Sequence, residues 1–380
     1  MAYIPRVIER TVKRYLSIFP VVGLTGPRQS GKSTMLRKLL GGKYEYVSFD
    51  DSSNVDLFKS DPTRFMRLHN DKIIFDEVQK VPEIFSYIKL EVDTHREQYG
   101  KFVLTGSSQF QFMKKISESL AGRIGLLSLL PFQYSEIPSK LREDALFRGS
   151  YPELVVRNYR SAEEWYAAYI DTYLTRDVRD LAAIGDLYDF RRCLQLLAGR
   201  VSGIINMSDL ARDVGVSVPT IKKWISVLDA SYIIFLLQPF YKNLGKRIVK
   251  SPKVYFFDTG LVSYLTGIGN KSHFEKGPLY GPLFENYIIS EILKKQLHLR
   301  TMKELFYYRT SHGVEVDLLI DQKDSMEWVE VKASETFRSE MIKAIQGLKK
   351  PGEVGRLIYR GKAIPFVDNI EIVNYSNYLK

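Results

Sequence analysis

The feature that most limits what this chain can become is a strand, a glycine loop and a helix in immediate succession. Val21–Thr25 reads VVGLT, a short apolar strand, and runs into Gly26, Pro27, Arg28, Gln29, Ser30, Gly31, Lys32, Ser33 and Thr34. A helical pattern follows, with Met35, Leu36, Leu39 and Leu40 on one side, and it stops at Gly41-Gly42. This is G-x-x-x-x-G-K-S in the strand–helix context that the motif requires. Its glycines let the backbone wrap a phosphate and aim N–H groups at it, and the helix N-terminus adds partial positive charge. The pattern predicts an α/β nucleotide-binding domain that takes ATP with Mg²⁺ on residues 26–34. Lys32 reaches the β- and γ-phosphates, and the Ser33 hydroxyl ligates the metal.

Such a site needs an apolar strand that ends in acids. Lys72-Ile-Ile-Phe-Asp76-Glu77 supplies it. Asp76 is the expected Mg²⁺ holder, direct or through water, and Glu77 the general base on the attacking water. A third strand, Lys101–Thr105, ends in Gly106-Ser107-Ser108-Gln109. Ser107 or Ser108 is placed to sense the γ-phosphate; the competing reading is a plain strand-to-helix turn.

Next come Ser119-Leu-Ala-Gly-Arg123-Ile124, Leu126–Leu130, Pro131 and Phe132. With GPRQSGKST, IIFDEVQKVP, LTGSSQF and LAGRIGLLSLLPF in this order, the chain resembles a family of prokaryotic AAA+ ATPases whose members often carry a further C-terminal domain. The resemblance implies that Arg123 is an arginine finger or sensor arginine, acting on the γ-phosphate of its own or a neighbouring subunit. It also implies a homo-oligomer, with a hexameric ring as one form. The alternative for Arg123 is a surface arginine before a strand.

Residues 1–140 form the expected ATPase domain, and 141–190 a helical lid or linker. In the linker Trp165, Tyr169 and Tyr173 share a helix face and read as packing. Thr175–Asp180 alternates charge as a solvated helical face does. Residues 191–268 read as a winged helix. A helix near Cys193–Val201 precedes a short helix at Asp209–Val214, a turn at Gly215 and a second helix at Ile221–Ala230. Strand-type runs follow at Tyr232–Pro239 and Lys253–Phe257. Between them lies a basic wing with Lys242, Lys246, Arg247 and Lys250, while Lys222 and Lys223 occupy the polar side of the second helix. These six cations are the nucleic-acid contacts expected if the module binds DNA; many winged helices are protein–protein modules instead.

Residues 269–380 carry a second constellation. Glu285 lies on a helix, Asp317 in the strand run Val314–Ile320, and Glu330 and Lys332 in Trp328-Val-Glu-Val-Lys. Strand alternation puts Glu330 and Lys332 on one face, with Asp317 able to reach the same groove. Two carboxylates can ligate Mg²⁺ and the lysine can orient water or phosphate. The order resembles the PD-(D/E)xK nuclease fold of restriction enzymes and junction resolvases, although no proline precedes Asp317. That resemblance implies Asp317, Glu330 and Lys332 as active-site positions and Glu285 as an additional acid. The alternative is a non-cleaving scaffold whose groove binds nucleic acid or protein.

The fold class expected is therefore α/β: a P-loop AAA+ ATPase domain, a helical connector with winged helix, and a restriction-endonuclease-like C-terminal domain. One cysteine, Cys193, in 380 residues excludes a disulfide framework and a cysteine-rich zinc site. No apolar run approaches the ~18–20 residues of a membrane span, and MAYIPRVIER lacks a secretory core, so a cytoplasmic location is expected. A net charge of +11 keeps DNA in view as a partner. Three functions fit. The first is a DNA-binding ATPase that remodels or translocates on duplex or branched DNA such as Holliday junctions. The second is a nucleotide-gated switch on a protein partner, and the third an ATP-dependent nuclease.

Overall fold

Runs of apolar residues too short for helices and flanked by helical patterns predict strands buried on both faces. The computed structural model, which describes residues 3–106, 119–174, 187–240 and 251–380, has that layering in its N-terminal part. Strands β1 (Val21–Thr25), β2 (Glu45–Ser48), β3 (Ile73–Asp76), β4 (Phe102–Thr105) and β5 (Ile124–Ser128) form one sheet in the order β2-β3-β4-β1-β5. Every neighbouring pair is parallel. Side chains alternate between two cores. Val21, Ile73, Phe75, Phe102 and Leu104 join one cluster, and Val22, Leu24, Ile74, Val103 and Leu127 join the other. Phe49, Phe58, Phe65 and Phe75 interlock in the first cluster through stacked and edge-on contacts.

The chain divides into two compact units. One comprises Met1–Phe132 with Ala230–Tyr232 and Leu297–Arg300; the other holds Gln133–Asp229, Ile233–Gln296 and Thr301–Lys380. In the second unit, Arg142–Arg148, Pro152–Val156 and Ala162–Tyr169 are short helices. Trp165 stacks on Tyr169 at 5.2 Å, the packing role expected of that face. Residues 175–180 lie outside the described residues.

Helices Leu187–Gly199, Met207–Val214 and Val218–Ala230 follow. Asn206 caps the second of them, and Gly215 ends it at φ 91°, a left-handed turn that suits glycine. The third helix starts three residues before the expected Ile221. Pro219 is tolerated in a first helical turn, where its missing N–H has no partner to lose, and Ser217 Oγ accepts from the Thr220 N–H.

Strands β6 (Ile234–Pro239) and β7 (Lys253–Phe256) pair antiparallel, as a wing would. They do not stand alone. The C-terminal strands are β8 (Leu305–Arg309), β9 (Glu315–Asp321), β10 (Met326–Lys332), β11 (Val354–Tyr359), β12 (Ile364–Val367) and β13 (Ile370–Asn374). All eight make one sheet in the order β12-β13-β11-β10-β9-β8-β6-β7, because β6 pairs with β8 in parallel through Gln238 and Pro239. At the β7 rim, Asn286 imitates a neighbouring strand: its Oδ1 accepts from the Phe256 N–H at 2.7 Å and its Nδ2 donates to the Phe256 carbonyl at 2.9 Å. Ser202–Ile205 closes the rest of that rim through Ser202 N–H to Val254 O, Val254 N–H to Gly203 O and Ile205 N–H to Pro252 O. Among the described residues no helix is long and apolar enough to cross a membrane.

Candidate functional site

The parallel sheet brings the ends of β1, β3 and β4 level, because Leu24 pairs with Thr105 and Phe75 with Leu104. The loop 26–31 leaves β1 there. Gly26 has φ 139°, and a Cβ on it would lie 2.0 Å from the Leu129 carbonyl oxygen, so no other residue fits. Gly31, at φ 89°, caps the helix Lys32–Leu40, and Gln29 is also left-handed. Lys32 is buried, and its Nζ donates to the Gly26 and Pro27 carbonyls at 3.0 and 2.9 Å. Arg6, also buried, braces the loop from outside it. Its guanidinium donates to Ser30 O at 2.9 Å and Leu130 O at 2.7 Å and lies over the Phe132 ring. At the foot of the loop, Tyr232 Oη lies 3.0 Å from Thr25 Oγ1 and 2.6 Å from Ser128 Oγ.

Asp76 ends β3 and faces this loop. The Ser33 hydroxyl donates to its Oδ2 at 2.9 Å, and the Tyr46 hydroxyl donates to the same oxygen. Burial, and then Asp76, push the Tyr46 phenol up to about 12, so it stays a donor at neutral pH. Arg37 covers the Tyr46 ring at 3.8 Å. Glu77 follows in the left-handed region, at φ 57°, with Oε2 accepting from Gln79 Nε2. Asp76 Oδ1, Ser30 Oγ and Thr105 Oγ1 are buried with no hydrogen-bond partner among the described residues. Unsatisfied buried groups of this kind call for a ligand, ion or water. A hydroxyl and a carboxylate 2.9 Å apart, a glycine-built N–H cradle and three orphaned polar atoms fit a magnesium nucleotide. Tyr46, Thr105 and Arg6 are absent from the residues expected on sequence. Thr105 carried a signal, a polar residue closing an apolar strand; Tyr46 and Arg6 carried none. Arg28 and Thr34 lie on the loop and the first helical turn, and Ser107 lies outside the described residues.

Arg123 is not brought to this site. It immediately precedes β5, whose Ile124 pairs with Val21 at the start of β1. Gly26 is six strand positions further on, about 20 Å at ~3.3 Å per residue. Arg123 instead grips Asp93, with Nε to Oδ1 at 2.6 Å and a terminal nitrogen to Oδ2 at 3.0 Å, a bond that lowers the Asp93 pKa. Action of Arg123 on the nucleotide of its own subunit is thereby removed, because the side chain cannot span the sheet.

The C-terminal constellation does assemble. Asp317 and Glu330 are the residues next along β9 and β10 from the Leu318–Val329 pair. Lys332 Nζ lies 2.7 Å from Glu330 Oε2 and 3.1 Å from Asp317 Oδ2, which also accepts from the Val331 N–H at 2.9 Å. Glu285 arrives from the helix Tyr280–Leu299, and with it comes a residue not anticipated. Lys253 and Tyr255 alternate onto one face of β7, and both reach Glu285 Oε1, at 3.1 and 2.6 Å. Lys253 Nζ is also 2.6 Å from Glu315 Oε1 and 4.0 Å from Asp317 Oδ1, with the side chain only 3% exposed.

Burial opposes the Lys253 charge, but Glu285, Asp317 and Glu315 outweigh it and hold the ammonium above its usual range. Burial and the Asp317 charge push Glu330 up to about 10 and Glu285 up to about 7. Asp317 is also buried, yet Lys332 and Lys253 hold it below the ordinary carboxylate range. A metal ion fits this set poorly. Lys253 Nζ already occupies the space between Glu285, Glu315 and Asp317 that such an ion would need. With Lys253 between the acids, no three His, Cys, Asp or Glu side chains among the described residues are placed to hold a metal ion.

Of the expected nucleic-acid contacts, Lys222 and Lys223 are exposed on the helix Val218–Ala230. Lys242, Lys246, Arg247 and Lys250 lie outside the described residues.

Comparison with known proteins places these parts in context. Residues 19–138 match the model of an AAA domain, and 139–272 and 280–378 match two domains of unknown function (DUF8612 and DUF4143). The uncharacterized protein Rv2008c of Mycobacterium tuberculosis is 30% identical over 327 residues, covering 86% of this chain and 73% of that protein. The uncharacterized protein MJ1544 of Methanocaldococcus jannaschii is 22% identical over 379 residues, covering 90% and 81%. Among solved structures, the Walker-type ATPase PABY2304 of Pyrococcus abyssi shares 16% identity over 69% of this chain and 98% of its own, at a TM-score of 0.47. The RuvB Holliday junction branch migration motor of Thermotoga maritima shares 15% over 60% and 88%, at 0.30. The chain belongs to the family of the mycobacterial protein Rv2008c, and its N-terminal third is an AAA-type P-loop ATPase domain.

Proposed function

We propose that this protein hydrolyses Mg-ATP and couples the turnover to binding and remodelling DNA. The observation that carries the ATPase half is the Ser33–Asp76 pair, with Asp76 Oδ1 buried and unpartnered beside a glycine-built loop. In this reading Lys32 exchanges the Gly26 and Pro27 carbonyls for phosphate oxygens. Ser33 and Asp76 would hold the ion, which would supply positive charge beside the phosphates. Glu77, carried on the left-handed turn after β3, takes the proton of the attacking water. Thr105, level with Leu24, donates to a phosphate oxygen. Arg123 contributes only across a subunit boundary, leaving Asp93 to do so, which requires a homo-oligomer such as a ring.

The DNA half is supported by the helix, glycine turn and helix at 207–230, the antiparallel β6–β7 pair and the exposed Lys222 and Lys223. The test is the ATPase rate with and without linear and four-way-junction DNA, with Lys32→Ala as the blank. Stimulation by DNA that falls steeply with salt supports the reading. A Lys32-dependent rate indifferent to every DNA turns it into a nucleotide-gated switch on a protein partner. A rate equal to the blank removes both.

A further inference from the structure

The carboxylate–lysine centre carries a cation of its own. Four acids, Glu285, Glu315, Asp317 and Glu330, converge from one helix and two strands, and a nuclease of this layout would gather a divalent ion among such groups. Here the space between Glu285, Glu315 and Asp317 is taken by Lys253 Nζ, at 3.1, 2.6 and 4.0 Å. The other side is taken by Lys332 Nζ, at 3.1 Å from Asp317 and 2.7 Å from Glu330. The two lysines differ. Lys332 is 38% exposed and can swing toward solvent, whereas Lys253 is 3% exposed. Lys253 also sits on a strand whose outer rim is closed by Ser202–Ile205 and Asn286, so its backbone is fixed. Tyr255, next on the same face, donates to Glu285 and holds that acid turned to the lysine.

We infer that Lys253 is a built-in counter-ion that stands in the metal's place, so this centre binds no catalytic divalent ion and does not cleave phosphodiesters by metal-activated water. The inference uses no residue of the nucleotide loop, so it stands or falls apart from the ATPase reading.

The experiment is Mn²⁺ binding to the full-length, nucleotide-free protein, read by electron paramagnetic resonance of the free ion. Asp317→Asn serves as the reference that separates this centre from the P-loop. Wild type is expected to bind no more Mn²⁺ than Asp317→Asn up to millimolar ion. Lys253→Met keeps most of the buried stem and deletes the charge. It is expected to gain a site at least tenfold tighter than anything in wild type, lost again in Lys253→Met with Asp317→Asn. An Asp317-dependent Mn²⁺ site in wild type overturns the inference. So does a folded Lys253→Met protein that gains none, because the acids would then be no metal set at all. If thermal melting shows Lys253→Met to be unfolded, the wild-type comparison decides alone: equal binding with Asp317→Asn supports the inference and unequal binding overturns it.

Discussion

Gly26→Ala tests the nucleotide loop without touching a group that contacts phosphate through its side chain. An added Cβ would stand 2.0 Å from the Leu129 carbonyl oxygen, where real contacts stay above 3.0 Å. The loop or Leu129 must therefore give by about 1 Å. Leu129 is a poor candidate, since its N–H is bonded to Thr25 O at 2.9 Å and its side chain is fully buried. The displacement falls on the loop. A misplacement of ~1 Å in a positioned site lowers turnover by about 100-fold. Holding a non-glycine residue at φ 139° adds about 1–3 kcal/mol of strain. At ~2–4 °C per kcal/mol, the melting temperature falls by about 2–12 °C. Gly42→Ala is the control: φ is 85°, but nothing lies within 4 Å of the new Cβ, so strain appears without loop displacement. The assays are fluorescent-nucleotide titration, ATPase rate and thermal melting on both variants. If Gly26→Ala binds and hydrolyses nucleotide as wild type does, the Leu129 contact does not set the loop and the reasoning fails.

Arg6→Ala leaves the Ser30 and Leu130 carbonyls without their charged donor; at ~1.5–3 kcal/mol per such bond the fold should lose stability, read as a lower melting temperature, and an unchanged melting temperature would remove Arg6 as a brace of the loop. Arg123→Ala and Lys32→Ala, each inactive alone, should regain ATPase activity when mixed, since one supplies the loop and the other the arginine; a mixture no faster than its parts ends the trans assignment. Glu330 carries its proton in the folded state up to about pH 10 against 4.5 unfolded, so its contribution is complete below 4.5 and lost as pH rises toward 10. Glu330→Gln should therefore gain stability relative to wild type across that window, and a pH-independent difference in melting temperature would contradict the assignment. Asn286→Ala abandons the Phe256 N–H and carbonyl together, a loss of about 2–4 kcal/mol visible in urea unfolding.

What the sequence made readable was contiguous. Gly26–Thr34 and Ile73–Glu77 each carry their chemistry within one segment, and strand alternation alone put Glu330 beside Lys332. What it hid depends on pairing between distant segments. Tyr46 reaches Asp76 only because β2 and β3 are neighbours, with Tyr46 opposite Ile74. Lys253 looks like one more basic residue after a basic run until β7 is set against the Glu285 helix. The β6–β7 pair has the local pattern of a wing, and nothing local announces that Gln238 pairs with Phe306 to join the C-terminal sheet. Arg123 shows the opposite failure. Its motif neighbourhood suggested proximity to phosphate, and the parallel register put it at the far end of the strands.

The closed rim at β7 also bears on how copies of this chain can assemble. A sheet grows into a fibril only if both of its outer strands are free to accept another. With Asn286 and Ser202–Ile205 occupying the β7 side, strand addition is left to β12, the other terminal strand. Through the eight-stranded sheet two molecules can then join only β12 to β12, and the second has no rim of that sheet left to offer a third. Polymerisation by this route terminates at a pair, and any larger assembly has to be built from surfaces other than the edges of this eight-stranded sheet.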